Sequence, residues 1–193
     1  MYPLDGPRSL KDLFFGGETF EDLLARPKAN GELWEALYRR ARVSEEILSR
    51  ASTIRDRWHL LVLNEDWCGD SINTLPVVAR LAEAAPLIEL RISGRDANPD
   101  VMDHHLTGLS RSIPVIMVLD SAFIERGWWG PRPRQLQQWV TEEGLALPKD
   151  ARYREVRTWY ARDRGKTALK ELLDIIENAD TEEDHAEKAR RNP

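Results

Sequence analysis

The sequence predicts an α/β domain, a mixed sheet of about four strands flanked by helices, with further helices at its N- and C-terminal ends. Two observations carry this expectation. Short apolar runs of strand length alternate with longer segments in which apolar residues recur every three or four positions. The chain, 193 residues at 41% hydrophobic, can bury a real core and fits one domain with extensions better than two domains.

Residues 1–57 read as an N-terminal helical extension. Phe20, Leu23 and Leu24, then Leu33, Trp34, Leu37 and Tyr38, then Ile47 and Leu48 have helical spacing, and they are separated by Pro27 and by the Asn30-Gly31 pair. That makes two or three amphipathic helices. Residues 59–63 have the length and composition of a buried strand. A tight loop follows, and residues 71–84 return to helical spacing through Ile72, Leu75, Val78, Ala79 and Leu81. Residues 87–92 alternate as a second strand, 99–106 suit a short helix, and 115–119 form a third strand entered through Ile113-Pro114. A fourth strand is expected over 123–128, paired with the third across the turn Asp120-Ser121-Ala122. Residues 134–141 follow as a helix, with Pro131 and Pro133 ahead of it. In residues 143–179 two helices are expected. One carries Tyr153, Val156, Trp159 and Tyr160; the other, beyond Gly165, carries Ala168, Leu169, Leu172, Leu173 and Ile176. Residues 180–193 show no apolar stripe and are expected to be a disordered tail. No internal repeat is visible.

Charge and composition narrow the function. Lys and Arg number 28 against 33 Asp and Glu, a net charge of −5, and the basic residues are interspersed with acidic ones, which argues against a nucleic-acid partner. The first residues lack the layout of a secretory signal, and no apolar run reaches the length of a membrane span, so a cytoplasmic protein is expected. A single cysteine, Cys68, excludes an intramolecular disulfide and a zinc site built on several thiolates. Adjacent His104 and His105 point about 100° apart on a helix, so they are expected to be surface or capping residues rather than metal ligands. Neither a metal nor a cofactor is expected.

The chemistry gathers in Trp67-Cys68-Gly69-Asp70-Ser71, between the first strand and its helix. A thiol at a helix start feels the unpaired amides and the positive end of the dipole, both of which favour thiolate. Cys68 is therefore expected to be exposed and nucleophilic. Ser71, one turn on, can donate a hydrogen bond to the sulfur, or serve the helix backbone as a cap hydroxyl. Gly69 keeps the approach open, and Asp70 opposes a second negative charge beside it. The acidic pair Glu65-Asp66 disfavours anionic partners.

WCGDS followed by a helix resembles the WCGPC active site of thioredoxins. Pro76 stands where that family kinks its active-site helix. Arg111-Ser112-Ile113-Pro114 resembles the loop whose cis proline lies against the active cysteine, and Gly130 falls where thioredoxins carry a glycine lining the peptide groove. The resemblance covers residues 58–142 and implies a thioredoxin-like fold of an extended kind. It also implies a monothiol thiol–disulfide oxidoreductase, because Ser71 replaces the resolving cysteine. In that role Cys68 and Ser71 are catalytic, and Trp67, Gly69, Asp70, Ile113, Pro114, Trp129 and Gly130 bind substrate. The implied partner is a protein disulfide or a small thiol, with an external thiol resolving the adduct. Val62 replaces the family's buried acid, and Asn64 an aromatic. The alternative is a redox-silent module that captures a peptide or protein on Trp67, Pro114 and Trp129.

Overall fold

The computed structural model describes residues 9–26 and 28–191, with side chains described through Thr181; Pro27, read from the sequence as a helix breaker, lies outside them. Four short helices open the chain: α1 (Leu10–Gly16), α2 (Phe20–Ala25), α3 (Gly31–Arg40) and α4 (Glu45–Ala51). The first two and the last begin at side-chain caps. Ser9, Thr19 and Ser44 accept the N–H of Asp12, Asp22 and Ile47, and Asp22 completes a reciprocal box with Thr19. Such caps satisfy amides that a helix start leaves unpaired. Helix α1, whose Leu10, Leu13 and Phe14 have helical spacing, was not among the helices expected from the sequence.

The sheet has the order β2-β1-β3-β4. Strands β1 (Trp58–Asn64) and β2 (Ile88–Gly94) are parallel, β3 (Val115–Leu119) runs antiparallel to β1, and β4 (Glu125–Trp129) antiparallel to β3. All seven residues of β1 are buried, as a central strand covered on both faces requires. Leu60, Val62, Leu90, Ile92, Ile116 and Val118 join one apolar cluster with Trp34, Leu75, Val78 and Leu172. Leu61, Leu63, Val115, Met117 and Leu119 join another with Phe14. The outer edge of β2 is tied by reciprocal bonds between Glu18 and Ile92, at 2.8 and 2.9 Å, which occupies backbone groups that an edge otherwise exposes.

The β3–β4 link is longer than the three residues expected. The Asp120 carboxylate accepts the N–H groups of Ala122 and Ile124 at 2.8 and 2.9 Å, Phe123 takes a left-handed φ of 61°, and β4 starts at Glu125 rather than 123. Helix α5 (Gly69–Ala84) begins two residues before the expected start at 71. Helix α6 is only Pro99–Met102, and α7 (Arg134–Glu142) is followed by a single 3-10 turn, α8 (Lys149–Asp163) and α9 (Lys166–Arg191). Helix α9 continues past Asp180, where a disordered tail is expected from the sequence; the Ala, Glu, Lys and Arg residues there have the propensity to extend a helix without an apolar stripe. Residues 192 and 193 lie outside the described residues.

The two extensions meet. Arg50 of α4 donates to Glu177 at 2.9 Å and to Asp174 at 2.7 Å, both on α9. Trp34 of α3, fully buried, donates its indole N–H to the Asp66 carbonyl at 3.0 Å, which anchors the loop leading to Cys68. Among the described residues no helix is long and apolar enough to cross a membrane.

His105 is not at the surface. It is buried, with Nδ1 2.7 Å from the Val101 carbonyl and Nε2 3.0 Å from Glu125. Burial alone would lower its pKa, but the Glu125 carboxylate and the Val101 carbonyl outweigh it and the net shift is upward. The stabilisation is therefore complete below the ordinary histidine value of about 6.5 and declines as pH rises through the raised folded value. His105→Gln should cost more stability at about pH 5.5 than at about pH 8.5, read by urea unfolding at the two values.

Candidate functional site

Cys68 is the N-cap of α5, and its carbonyl accepts the Ile72 N–H at 3.0 Å. Its side chain differs from the exposed thiolate expected. Cys68 is 7% exposed, and its Sγ donates to the Ile113 carbonyl at 3.3 Å. Burial pushes the thiol pKa up, ahead of the Ser71 hydroxyl and amide that pull it down, and Asp70 adds to the rise. The helix start is present, but removing water from the sulfur outweighs it. The bond to Ile113 acts in the same direction, because only the protonated sulfur can donate it.

Ser71 is fully buried and its Oγ makes no hydrogen bond. The hydroxyl favours thiolate without bonding the thiol, so it is a donor held in reserve for the charged sulfur. Gly69 has open space where a Cβ would stand.

Three other expected site residues, Ile113, Pro114 and Gly130, gather at the same end of the sheet as Cys68, because Leu63 pairs with Val115 and Ile116 with Trp129. The Ile113-Pro114 bond is cis, as is Gly130-Pro131. Gly130 has φ 139°, and a Cβ built there would lie 2.0 Å from the Pro114 carbonyl oxygen. The two loops thus touch through backbone, and only glycine fits. Trp67 is 53% exposed, with the Arg95 guanidinium 5.2 Å from its ring centroid.

Two expected substrate contacts are corrected. Trp129 is 5% exposed and donates its indole N–H to Glu171 of α9 at 2.6 Å; packing of α9 against the sheet takes the ring that a peptide would use. Asp70 is buried and its carboxylate is fully engaged. Arg132 grips it from two nitrogens, at 3.0 and 2.6 Å, and the Tyr160 hydroxyl donates to it at 3.0 Å. Burial still raises the Asp70 pKa against the pull of Arg132. Arg132 and Tyr160 were missed in the sequence. The signal available was indirect: a carboxylate in the first turn of a buried helix needs a cation, and Arg132 stands between two prolines just beyond the last strand.

The acidic pair before Trp67 is also engaged. Glu65 accepts the Asp96 N–H at 2.9 Å and Asp66 pairs with Arg26 at 3.2 Å, so their charges are partly compensated. Beside the thiol loops lies a cavity of about 400 Å³, bounded by residues 107–112, α7 and α8, with Ser112, Arg132, Arg152 and Tyr153 in its wall. Ser112 precedes the residue that holds the thiol, and Arg132 holds the residue two beyond it.

A thiol at the start of a helix, against a cis proline loop at one end of a mixed four-stranded sheet, defines a thioredoxin-fold protein. Residues 17–147 match the sequence model of the family described as Thioredoxin, and the chain belongs to that family. It is similar to the 1.5 Å crystal structure of PA1234, a protein of unknown function from Pseudomonas aeruginosa, with a TM-score of 0.73 and 26% identity over 90% of this chain and 99% of that one. It is also similar in fold to the crystal structure of an HIV epitope-scaffold, with a TM-score of 0.71 and 24% identity over 89% and 99% of the two chains. No curated protein matches it.

Proposed function

We propose that the protein is a monothiol thiol–disulfide oxidoreductase whose nucleophile is Cys68. The observation that supports this best is the position of Sγ, at the N-cap of α5 and 3.3 Å from the carbonyl immediately before Pro114. In the resting state the proton sits between Sγ and that carbonyl. A disulfide-bearing substrate that pairs with the backbone of Ile113 would compete for the carbonyl and release the thiol from it. The Cys68 thiolate then attacks one sulfur of the substrate disulfide, forming a mixed disulfide and expelling the other sulfur as thiolate. An external thiol attacks the mixed disulfide, becomes joined to the substrate half and returns Cys68 as thiolate, so each cycle consumes one external thiol. Ser71 donates to the sulfur in its charged form. The reducing cytoplasm expected from the sequence supplies such thiols.

Release of the coloured thiolate from 5,5′-dithiobis(2-nitrobenzoate) tests this. The folded protein should release one equivalent, faster as pH rises because the thiol pKa lies above its ordinary value, and Cys68→Ser should release none. If the folded protein releases none while the unfolded chain does, the thiol is silent.

A second reading is favoured by the same burial: a redox-silent module that binds a peptide or protein beside Pro114. It expects partner capture to survive Cys68→Ser undiminished, whereas the oxidoreductase loses its covalent adduct.

A further inference from the structure

A cavity of about 490 Å³ lies away from the thiol, between α3, the middle of α5 and the corner joining α8 to α9. Its volume is that of a small-molecule site. Leu37, Pro76 and Val77 give it an apolar floor, and Arg40, Arg42 and Arg164 stand around its mouth, with no carboxylate among the described residues of the wall. In a chain of net charge −5 this is a local reversal of sign.

Among the described residues the three arginines are not paired with acids. Among the described residues Arg40 and Arg164 make no side-chain hydrogen bond or ion pair, and Arg42 donates only to the carbonyls of Arg39 and Ala41, at 2.8 and 2.7 Å. Cations at helix C-termini can serve the dipole alone, and Arg40 and Arg164 do end α3 and α8. Yet these cations come from different elements and open on one space, which the dipole does not require.

The backbone at the corner points the same way. Arg164 occupies the left-handed C-cap of α8 at φ 55°, a position that glycine or asparagine fills with less strain. Gly165 follows at φ 80°, and a Cβ there would lie 2.2 Å from the Val77 side chain. That close approach brings the corner onto α5 and sets Arg164 over the apolar floor.

We infer that this cavity binds a small amphiphilic anion, its apolar body against Leu37, Pro76 and Val77 and its single carboxylate, phosphate or sulfonate head among Arg40, Arg42 and Arg164. The site also reaches the thiol helix. Asn73 and Tyr160 line it, and they bond the Gly69 carbonyl and the Asp70 carboxylate at 2.7 and 3.0 Å. An occupant therefore touches two side chains that hold the first turn of α5.

The test is a fluorescence titration of the full chain with 8-anilinonaphthalene-1-sulfonate. Saturable binding at one site is expected, weakened about tenfold or more in Arg40→Gln/Arg164→Gly. Glycine suits the left-handed cap, so this variant should keep its thermal midpoint, which is measured alongside. Decanoate should displace the dye and inorganic phosphate should not. Equal affinity in the double variant, displacement by phosphate as effective as by decanoate, or no saturable binding would each overturn the inference. None of these readings depends on the reactivity of Cys68.

Discussion

Replacing Gly130 by alanine is expected to destabilise the protein by about 3 kcal/mol or more. The new Cβ would stand 2.0 Å from the Pro114 carbonyl oxygen and 3.1 Å from its carbon. Those are backbone atoms, which cannot turn aside as a side chain can. The residue must also hold φ 139°, outside the regions an alanine favours. Relief must come from movement of the Ile113-Pro114 loop, the loop that accepts the Cys68 proton. Two readouts should therefore change together: the urea midpoint falls, and the folded protein reacts faster with the disulfide reagent because the thiol loses its acceptor. Gly69→Ala is the control. Its Cβ meets nothing within 4 Å, and it should leave stability within about 0.5 kcal/mol.

The second large effect is expected at Arg132. Arg132→Met removes the cation from Asp70 while leaving the carboxylate buried, and should cost about 3–5 kcal/mol. Asp70 already has a raised pKa from burial, and without Arg132 it rises further. A carboxyl group with a folded pKa above its unfolded value holds its proton longer in the native state, so this variant loses stability as pH rises. The deficit relative to the parent should be smaller at about pH 5 than at about pH 7.5. Adding Asp70→Asn should recover part of the loss, because a neutral amide in place of the carboxylate no longer requires a cation. Urea unfolding of the parent and the two variants at both pH values checks all of this, and an unchanged deficit across pH would remove Asp70 from the account.

The architecture was legible because it rests on local patterns. The buried run in β1 and the apolar stripes of α5 and α9 show in single windows of sequence, and the order of Cys68, Pro76, Pro114 and Gly130 places them in one family. What failed depends on contacts between distant residues. The environment of Cys68 is set by Ile113, 45 residues away, and that of Asp70 by Arg132 and Tyr160, 62 and 90 residues away. No helical or strand period connects them. The helix start favours thiolate only while the sulfur keeps its water, and the cost of removing that water is set by residues far along the chain. His105 illustrates the same limit of local reading, since its partner Glu125 is on another element.

The clasp between Arg50 and α9 bears on the order in which the protein is made. Leu169, Leu172, Leu173 and Ile176 close the sheet face that also holds Leu60, Ile116 and Val118, and they leave the ribosome after the strands they cover. A nascent chain that has reached residue 147, the end of the matched family segment, lacks them and presents that face open, a state prone to stray association. The residues of the thiol loops, up to Gly130, are already made at that point, and closure of that face waits on α9.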